Sequence, residues 1–543
     1  MNAAELFVKC LENEGVEYIF GIPGEENLDI MDALLDSPIQ FILTRHEQGG
    51  AFMADVYGRL TGKAGVCLST LGPGATNLVT GVADANMDHA PVVAIAGQAS
   101  TTRLHKESHQ VLDLVNLFQP ITKYSTQILS PEIVPEVVRK AFKVAQMEKP
   151  GCSFIDFPEN IAPMPVNKLP LKPQAPKAPF PHPDKIAQAA ELISQARYPI
   201  ILAGNGIVRN HASDALASFA ETHQIPVANT FMAKGILPCR HPLALGTIGL
   251  QARDYIACGI DRADVIICIG YDIVEYHPHL WNHCPDCHII HLDSQPAEVD
   301  EFYSLAVGVV ADLNESLNQL CQQVNRTHIT DVSPIKRLID NELSQYADDA
   351  SFPVKPQKAI YDLRQALGDQ DIVICDVGAH KMWMARLYPA QAPNTCIISN
   401  GFASMGIALP GAMAAKLADP ERKVVALTGD AGFLMNVQEI ETAVRLKLDM
   451  VILIWNDSGY GLIKWKQLNE FGRESNIAFN NPDFVKLADA FGATGLRVSA
   501  DYSLQHALER ALSIPGVVII DCPVDYSENL KLTERLGQMI CPT

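Results

Sequence analysis

Positive charge is scarce in this chain: 42 Lys and Arg stand against 62 Asp and Glu over 543 residues, a formal net charge of -20. No basic block stands out anywhere along the sequence. Nucleic acids and anionic membranes both select concentrated positive charge, so neither is expected as the main partner. Long apolar runs are missing too, and nothing approaches the roughly 20 residues that span a bilayer. The opening Met1-Asn2-Ala3-Ala4-Glu5-Leu6 lacks the basic start and apolar stretch of a secretory signal, which predicts a cytoplasmic protein. A paired cysteine framework is also absent. The 13 cysteines are odd in number, and Cys67, Cys268 and Cys375 sit inside apolar runs as small hydrophobes.

What is present is enough apolar material for several cores. Hydrophobic residues make up 48% of the chain, and a chain of this length divides into about three domains of ordinary size. Eight prolines fall between Pro163 and Pro183, among them Pro170, Pro173, Pro176 and Pro179. Such a stretch sustains neither helix nor central strand and reads as a linker. A second polar stretch, about 322–356, leads into a last block. The expected domains are residues 1–165, 185–325 and 355–543.

Each block alternates short β-branched runs with amphipathic segments of helical length. The runs include Val66 to Thr70 and Val92 to Ala96, Ile200 to Ala203 and Val265 to Ile269, then Ile372 to Cys375, Val424 to Thr428 and Met450 to Trp455. This alternation predicts an α/β fold of three doubly wound parallel-sheet domains. Ligands in such sheets bind at the carboxyl ends of the strands.

Two carboxylates occupy such ends. The run Val424 to Thr428 leads into Gly429-Asp430-Ala431-Gly432, and Met450 to Trp455 leads into Asn456-Asp457-Ser458-Gly459-Tyr460. Between them Leu434, Val437, Ile440 and Val444 recur at helical spacing and predict one crossover helix. A right-handed crossover brings both carboxylates to one sheet edge. Two hard oxygen ligands and a backbone carbonyl suit Mg²⁺, whose octahedron a diphosphate and water complete. Either turn alone would be an ordinary tight turn; the pair at this spacing is what points to a metal.

These segments resemble the signature of the thiamine-diphosphate-dependent 2-oxoacid enzymes, with Ala431 replacing a Gly and Asp457 an Asn. The resemblance implies thiamine diphosphate and Mg²⁺ as cofactors, with the metal on Asp430, Asp457 and the carbonyl of Gly459. Gly429, Ala431, Gly432, Tyr460 and His380 would lie along the diphosphate.

The likeness extends to the first block. Thr44-Arg45-His46-Glu47-Gln48-Gly49-Gly50, Gly21-Ile22-Pro23-Gly24 and Gly72-Pro73-Gly74-Ala75-Thr76-Asn77 resemble the family's pyrimidine-binding domain. Glu47 matches the glutamate that bonds the aminopyrimidine ring, while Pro23, Gly24, Gly72, Pro73, Gly74 and Asn77 form the loops around it. Gly401 matches a backbone contact to the ring, and Met405 the large apolar residue that props the cofactor into its bent shape.

Within the family the likeness is to acetolactate synthases of the catabolic kind. It rests on His109-Gln110, Leu117 to Ser125, Cys268 to Tyr271 and Ile398 to Gly401. It implies decarboxylation of pyruvate and joining of the two-carbon fragment to a second 2-oxoacid, giving 2-acetolactate and CO₂. Gln110 would steer the acceptor, with His109 beside it. A homodimer or homotetramer with shared active sites is also implied.

The enzyme alternative is a 2-oxoacid decarboxylase releasing an aldehyde. Such enzymes carry a His-His pair where this chain has His109-Gln110, which favours ligation. A catalytically silent relative would be expected to have lost Glu47 or the metal ligands. The flavin-binding synthases carry an Arg-Phe-Asp-Asp-Arg stretch where this chain reads Gly270 to Tyr276, so flavin is not expected. Lys466 departs from both the Trp of biosynthetic and the Gln of catabolic synthases, with Trp465 one position before it. The Cys284 and Cys287 segment reads as a turn into the strand Ile289 to Leu292, and Gly204-Asn205-Gly206 lacks the third glycine of a dinucleotide fingerprint.

Overall fold

A computed structural model describes residues 1–174, 178–249, 255–284, 286–329 and 331–529. Pro176 of the proline stretch, Pro285 beside the two cysteines and the last residues of the third block lie outside these. The chain divides into two compact units: residues 1–176 with 401–421 and 433–450, and residues 177–400 with 422–432 and 451–543.

The first unit holds a six-stranded sheet. Its strands are β1 (Tyr18–Gly21), β2 (Gln40–Leu43), β3 (Gly65–Ser69), β4 (Val92–Gln98), β5 (Tyr124–Gln127) and β6 (Cys152–Pro158). They lie in the order β2-β1-β3-β4-β6-β5, all pairs parallel. The central strands β3, β4 and β6 are buried along their whole length, which is why they read as unbroken apolar runs. Helices Glu47–Thr61 and Pro73–Met87 pack together, and Ala408–Ala418 packs on the former.

The second unit holds two more six-stranded sheets. One contains β7 (Pro199–Ala203), β8 (Val227–Asn229), β9 (Ala244–Thr247), β10 (Val265–Ile269), β11 (His288–Asp293) and β12 (Leu305–Val310). Its order, β12-β11-β10-β7-β8-β9, is that of a dinucleotide-binding sheet. The loop after β7 is nonetheless closed by the protein itself. Glu275 accepts from the Asn205 N–H at 3.0 Å and from the Thr230 hydroxyl, placing a carboxylate against the backbone that would face a phosphate. Burial pushes that carboxyl up to about 7, against the opposing hydrogen bonds.

The other sheet contains β13 (Ile372–Cys375), β14 (Cys396–Ile398), β15 (Val424–Gly429), β16 (Met450–Asn456), β17 (Thr494–Arg497) and β18 (Val517–Pro523). Its order, β14-β13-β15-β16-β18-β17, repeats that of the first unit's sheet strand for strand. Trp383 is buried, with its indole N–H donating to the Asn529 side-chain carbonyl.

One expected element is corrected. The single helix after Asp430 is two, Asp430–Met435 and Glu439–Arg445. Between them buried Asn436 donates its side-chain amide to the Gly406 carbonyl at 2.8 Å. An Asn offering side-chain bonds to the backbone is a poor interior helix residue. The second polar stretch carries a helix of its own, Ser333–Ser344.

Candidate functional site

In the first unit, adjacent strands β2, β1 and β3 end in three loops. After β2 the chain turns at His46, the N-cap of the next helix, so Glu47 is that helix's first residue. Glu47 is 8% exposed and accepts from the Asn77 side-chain amide at 2.9 Å. Asn77 rides on the helix opened by Pro73, whose missing N–H costs nothing at a first turn. Gly72, with φ +52, begins that turn, and a Cβ on it would lie 2.7 Å from the Gln110 carbonyl oxygen. A Cβ on Gly74 would lie 3.3 Å from the Glu47 carboxylate, and one on Gly24 2.3 Å from Thr70 Cβ. The Pro23-Gly24 loop, the Gly72–Asn77 turn, Glu47 and Gln110 therefore converge. His109 is exposed on the same loop as Gln110.

Gly401 and Met405 belong to this unit. The Gly401 N–H donates to Asp88 at 2.6 Å and that of Ser404 to Asp84 at 3.1 Å. Met405 is half-buried.

One residue of the unit escaped the sequence reading. Glu439 is fully buried, and its carboxylate accepts from the backbone N–H groups of Arg45 and His46, each at 3.0 Å, and from the Thr442 hydroxyl. It fixes the turn that presents Glu47. Nothing local announces a partner almost four hundred residues away; the one available signal is Gly49, where a Cβ would meet Glu439 Oε1 at 2.7 Å.

In the second unit, adjacent strands β13, β15 and β16 end together. Asp430 follows β15, and its Oδ1 accepts from the Ala431 N–H at 2.8 Å. Its Oδ2 accepts from the Ser458 N–H and the Asn481 amide, both at 2.7 Å. Burial raises the Asp430 carboxyl, opposed by these hydrogen bonds. Asp457, past β16, is pushed up to about 7 by burial and by the Asp430 charge. The expected carboxylate pair is thus brought together. Gly459 bridges to Ala478, and Tyr460 sets its ring edge-on to Phe479.

His380 lies past β13 with its ring against Gly378 and Gly429, whose Cβ positions would fall 2.7 and 3.2 Å from its Cε1. A Cβ on Gly432 would meet Asp376 at 3.1 Å. Burial lowers the imidazole to about 3, and its Nε2 has no hydrogen-bond partner. Asn481, also missed in the sequence, holds Asp430 and leaves its own Oδ1 buried and unpartnered.

These features fit a divalent cation with a diphosphate. Two repelling carboxylates are relieved by a cation, and an anion beside Nε2 would favour the imidazolium and give the orphaned nitrogen a partner. Among the described residues no three acidic, His or Cys side chains converge on a metal, so remaining ligands would be carbonyl, phosphate and water oxygens, as Mg²⁺ accepts. Lys466 is exposed on the helix Gly461–Phe471, whereas Trp465 is buried.

Family profiles agree with a cofactor of this kind. Residues 1–117 match the N-terminal TPP binding domain of thiamine pyrophosphate enzymes, 186–320 their central domain and 376–522 their C-terminal TPP binding domain. The chain is 39% identical to an acetolactate synthase of Bacillus subtilis, over 99% of this chain and 96% of that protein. It is 37% identical to a probable acetolactate synthase large subunit of Methanocaldococcus jannaschii, covering 99% and 94%. A catabolic acetolactate synthase of Raoultella terrigena is 36% identical, covering 98% and 97%. The chain belongs to the thiamine pyrophosphate enzymes, in the acetolactate synthase family.

Proposed function

We propose that the chain is an acetolactate-forming carboligase: it removes CO₂ from one pyruvate and joins the remaining two carbons to a second, giving 2-acetolactate. The observation that carries this is the Asp430–Asp457 pair at adjacent strand ends, flanked by the unpartnered His380 Nε2 and Asn481 Oδ1. Near-full-length likeness to acetolactate synthases supports ligation over aldehyde release.

When bound, thiamine diphosphate supplies the electron sink for cleaving the bond to the departing carboxylate. Asp430, Asp457 and the Gly459 carbonyl hold Mg²⁺. His380, Gly429, Ala431, Gly432 and Tyr460 hold the diphosphate. Pro23, Gly24, Gly72, Pro73, Gly74 and Asn77 close around the pyrimidine, with Gly401 and Met405 as further contacts. Glu47, positioned by Asn77, would exchange a proton with the ring nitrogen of the bound cofactor as an acid–base group. Gln110 orients the acceptor, with His109 alongside.

The working form is a cytoplasmic homodimer or homotetramer built of modules 1–165, 185–325 and 355–543. The test is product analysis with pyruvate alone. Two pyruvates consumed per CO₂, with acetolactate accumulating, is expected. Acetaldehyde as the main product, at one pyruvate per CO₂, would overturn the reading.

A further inference from the structure

A cavity of about 270 Å³ lies in the second unit, away from the Asp430–Asp457 pair. It sits at the β9 edge of the central sheet, against helices Ser333–Ser344, Pro356–Ala366 and Ala379–Leu387. Its volume is just under the range of about 300–1,000 Å³ usual for small-molecule sites. Its lining has four cations, Lys234, Arg240, Arg364 and Arg386, against one carboxylate, Asp340.

The charges around it do not cancel locally. Asp340 is committed to Lys336 at 2.7 Å. Arg386 is held in a two-pronged pair by Glu342, and Arg240 meets Asp369 at 2.8 Å on the exposed rim. Lys234 and Arg364, 6% and 9% exposed, hydrogen-bond only neutral oxygens and face no carboxylate partner among the described residues, Arg364 also lying over the Tyr388 ring at 5.4 Å. Lys234 donates to the Thr247 hydroxyl at 3.0 Å and the Ala385 carbonyl at 2.8 Å. An ammonium has three N–H donors, so one is left over. Arg364 donates to the Tyr388 hydroxyl and to the carbonyls of Leu367 and Gly368, and its Nε–H meets no acceptor among the described residues.

Burying a charge against neutral partners alone is costly, and a second buried cation in the same wall compounds it. Burial accordingly lowers the Lys234 ammonium. Gln391, also in the lining, keeps its amide oxygen buried with no donor. A cavity with surplus donors, uncompensated positive charge and one unmet acceptor is complementary to a compact oxyanion that also carries a hydroxyl.

We infer that this cavity is a binding site for a small dianion, a phosphate or a dicarboxylate, distinct from the cofactor site. Lys234 and Arg364 form its floor and Arg240 its mouth.

The test is calorimetric titration of the holoenzyme, with thiamine diphosphate and magnesium saturating so that the diphosphate seat is filled. One series uses inorganic phosphate and a second uses malate, a dicarboxylate that carries a hydroxyl. Saturable binding of either at one site per chain is expected, phosphate alone or malate alone identifying which chemistry is preferred. Lys234→Met should weaken it about tenfold, the loss of one charge-assisted hydrogen bond. Arg240→Gln changes an exposed side chain and so leaves folding intact; it should weaken binding severalfold and flatten its salt dependence. No saturable binding of either probe to the wild-type holoenzyme would overturn the site. So would binding that Arg240→Gln leaves untouched at low and high salt, since the ion would then sit elsewhere.

Discussion

Among the described residues Glu47 has one side-chain hydrogen-bond partner, the Asn77 amide, and lies against a glycine surface at Gly74 that has no side chain to crowd it. Glu47→Gln keeps the shape and the reach but loses the exchangeable proton, so turnover of saturating pyruvate should fall roughly 10² to 10⁴-fold, the usual range for one acid–base group. Thiamine diphosphate affinity, followed by fluorescence titration, should change far less. A Gln variant with near-normal turnover would reduce Glu47 to a structural residue. The carboxylate pair divides differently. Asp430→Ala removes a hard ligand together with the acceptor for Ser458 and Asn481, and should abolish cofactor retention on desalting. Asp457→Asn keeps an oxygen and removes the charge that burial, and then the neighbouring Asp430, penalise. It should therefore retain cofactor and most activity; equal loss in both variants would refute the ligand pairing.

At the scale of elements, what could be read in the sequence is what short-range pattern determines. Val66 to Thr70, Val424 to Thr428 and Met450 to Trp455 lie in or at the ends of interior strands buried on both faces, so their apolar runs are continuous and their ends legible. Asp430 and Asp457 could be placed together because they close adjacent parallel strands, where the crossover has only one hand. The helical run after Asp430 misled because Leu434, Val437, Ile440 and Val444 keep their spacing across a break. Asn436, bonding to Gly406, interrupts the backbone without disturbing the apolar period. Glu439 and Asn481 were invisible for another reason. Each acts through contacts that the fold alone creates, Glu439 on the turn at Arg45 and His46 and Asn481 on Asp430. The central sheet shows the same limit. Gly204-Asn205-Gly206 is two-thirds of a fingerprint, and only the structure shows Glu275 seated on its backbone.

At the scale of the molecule, the issue is how many chains make a working site. The proposed shared sites would set the pyrimidine loops of one copy against the diphosphate loops of another, and exposed apolar side chains beside those loops would supply buried area. Leu112 and Leu117, next to the Gln110 loop, are 46% and 36% exposed, and Ile463 and Phe471, on the helix after Tyr460, 45% and 71%. Such residues are unremarkable singly, but they flank the loops concerned. Shared sites make a sharp prediction from two inactive variants. Glu47→Gln spoils only the pyrimidine side and Asp430→Ala only the diphosphate side, so in a mixed dimer one site collects both faults and the other collects neither. With random pairing about half of the dimers are mixed and half of their sites intact, so co-expression at equal levels should restore about a quarter of wild-type activity. Sedimentation should show a dimer or larger species at assay concentration. If each chain instead completed its own site, every site would keep one fault and the mixture would stay as inactive as its parents.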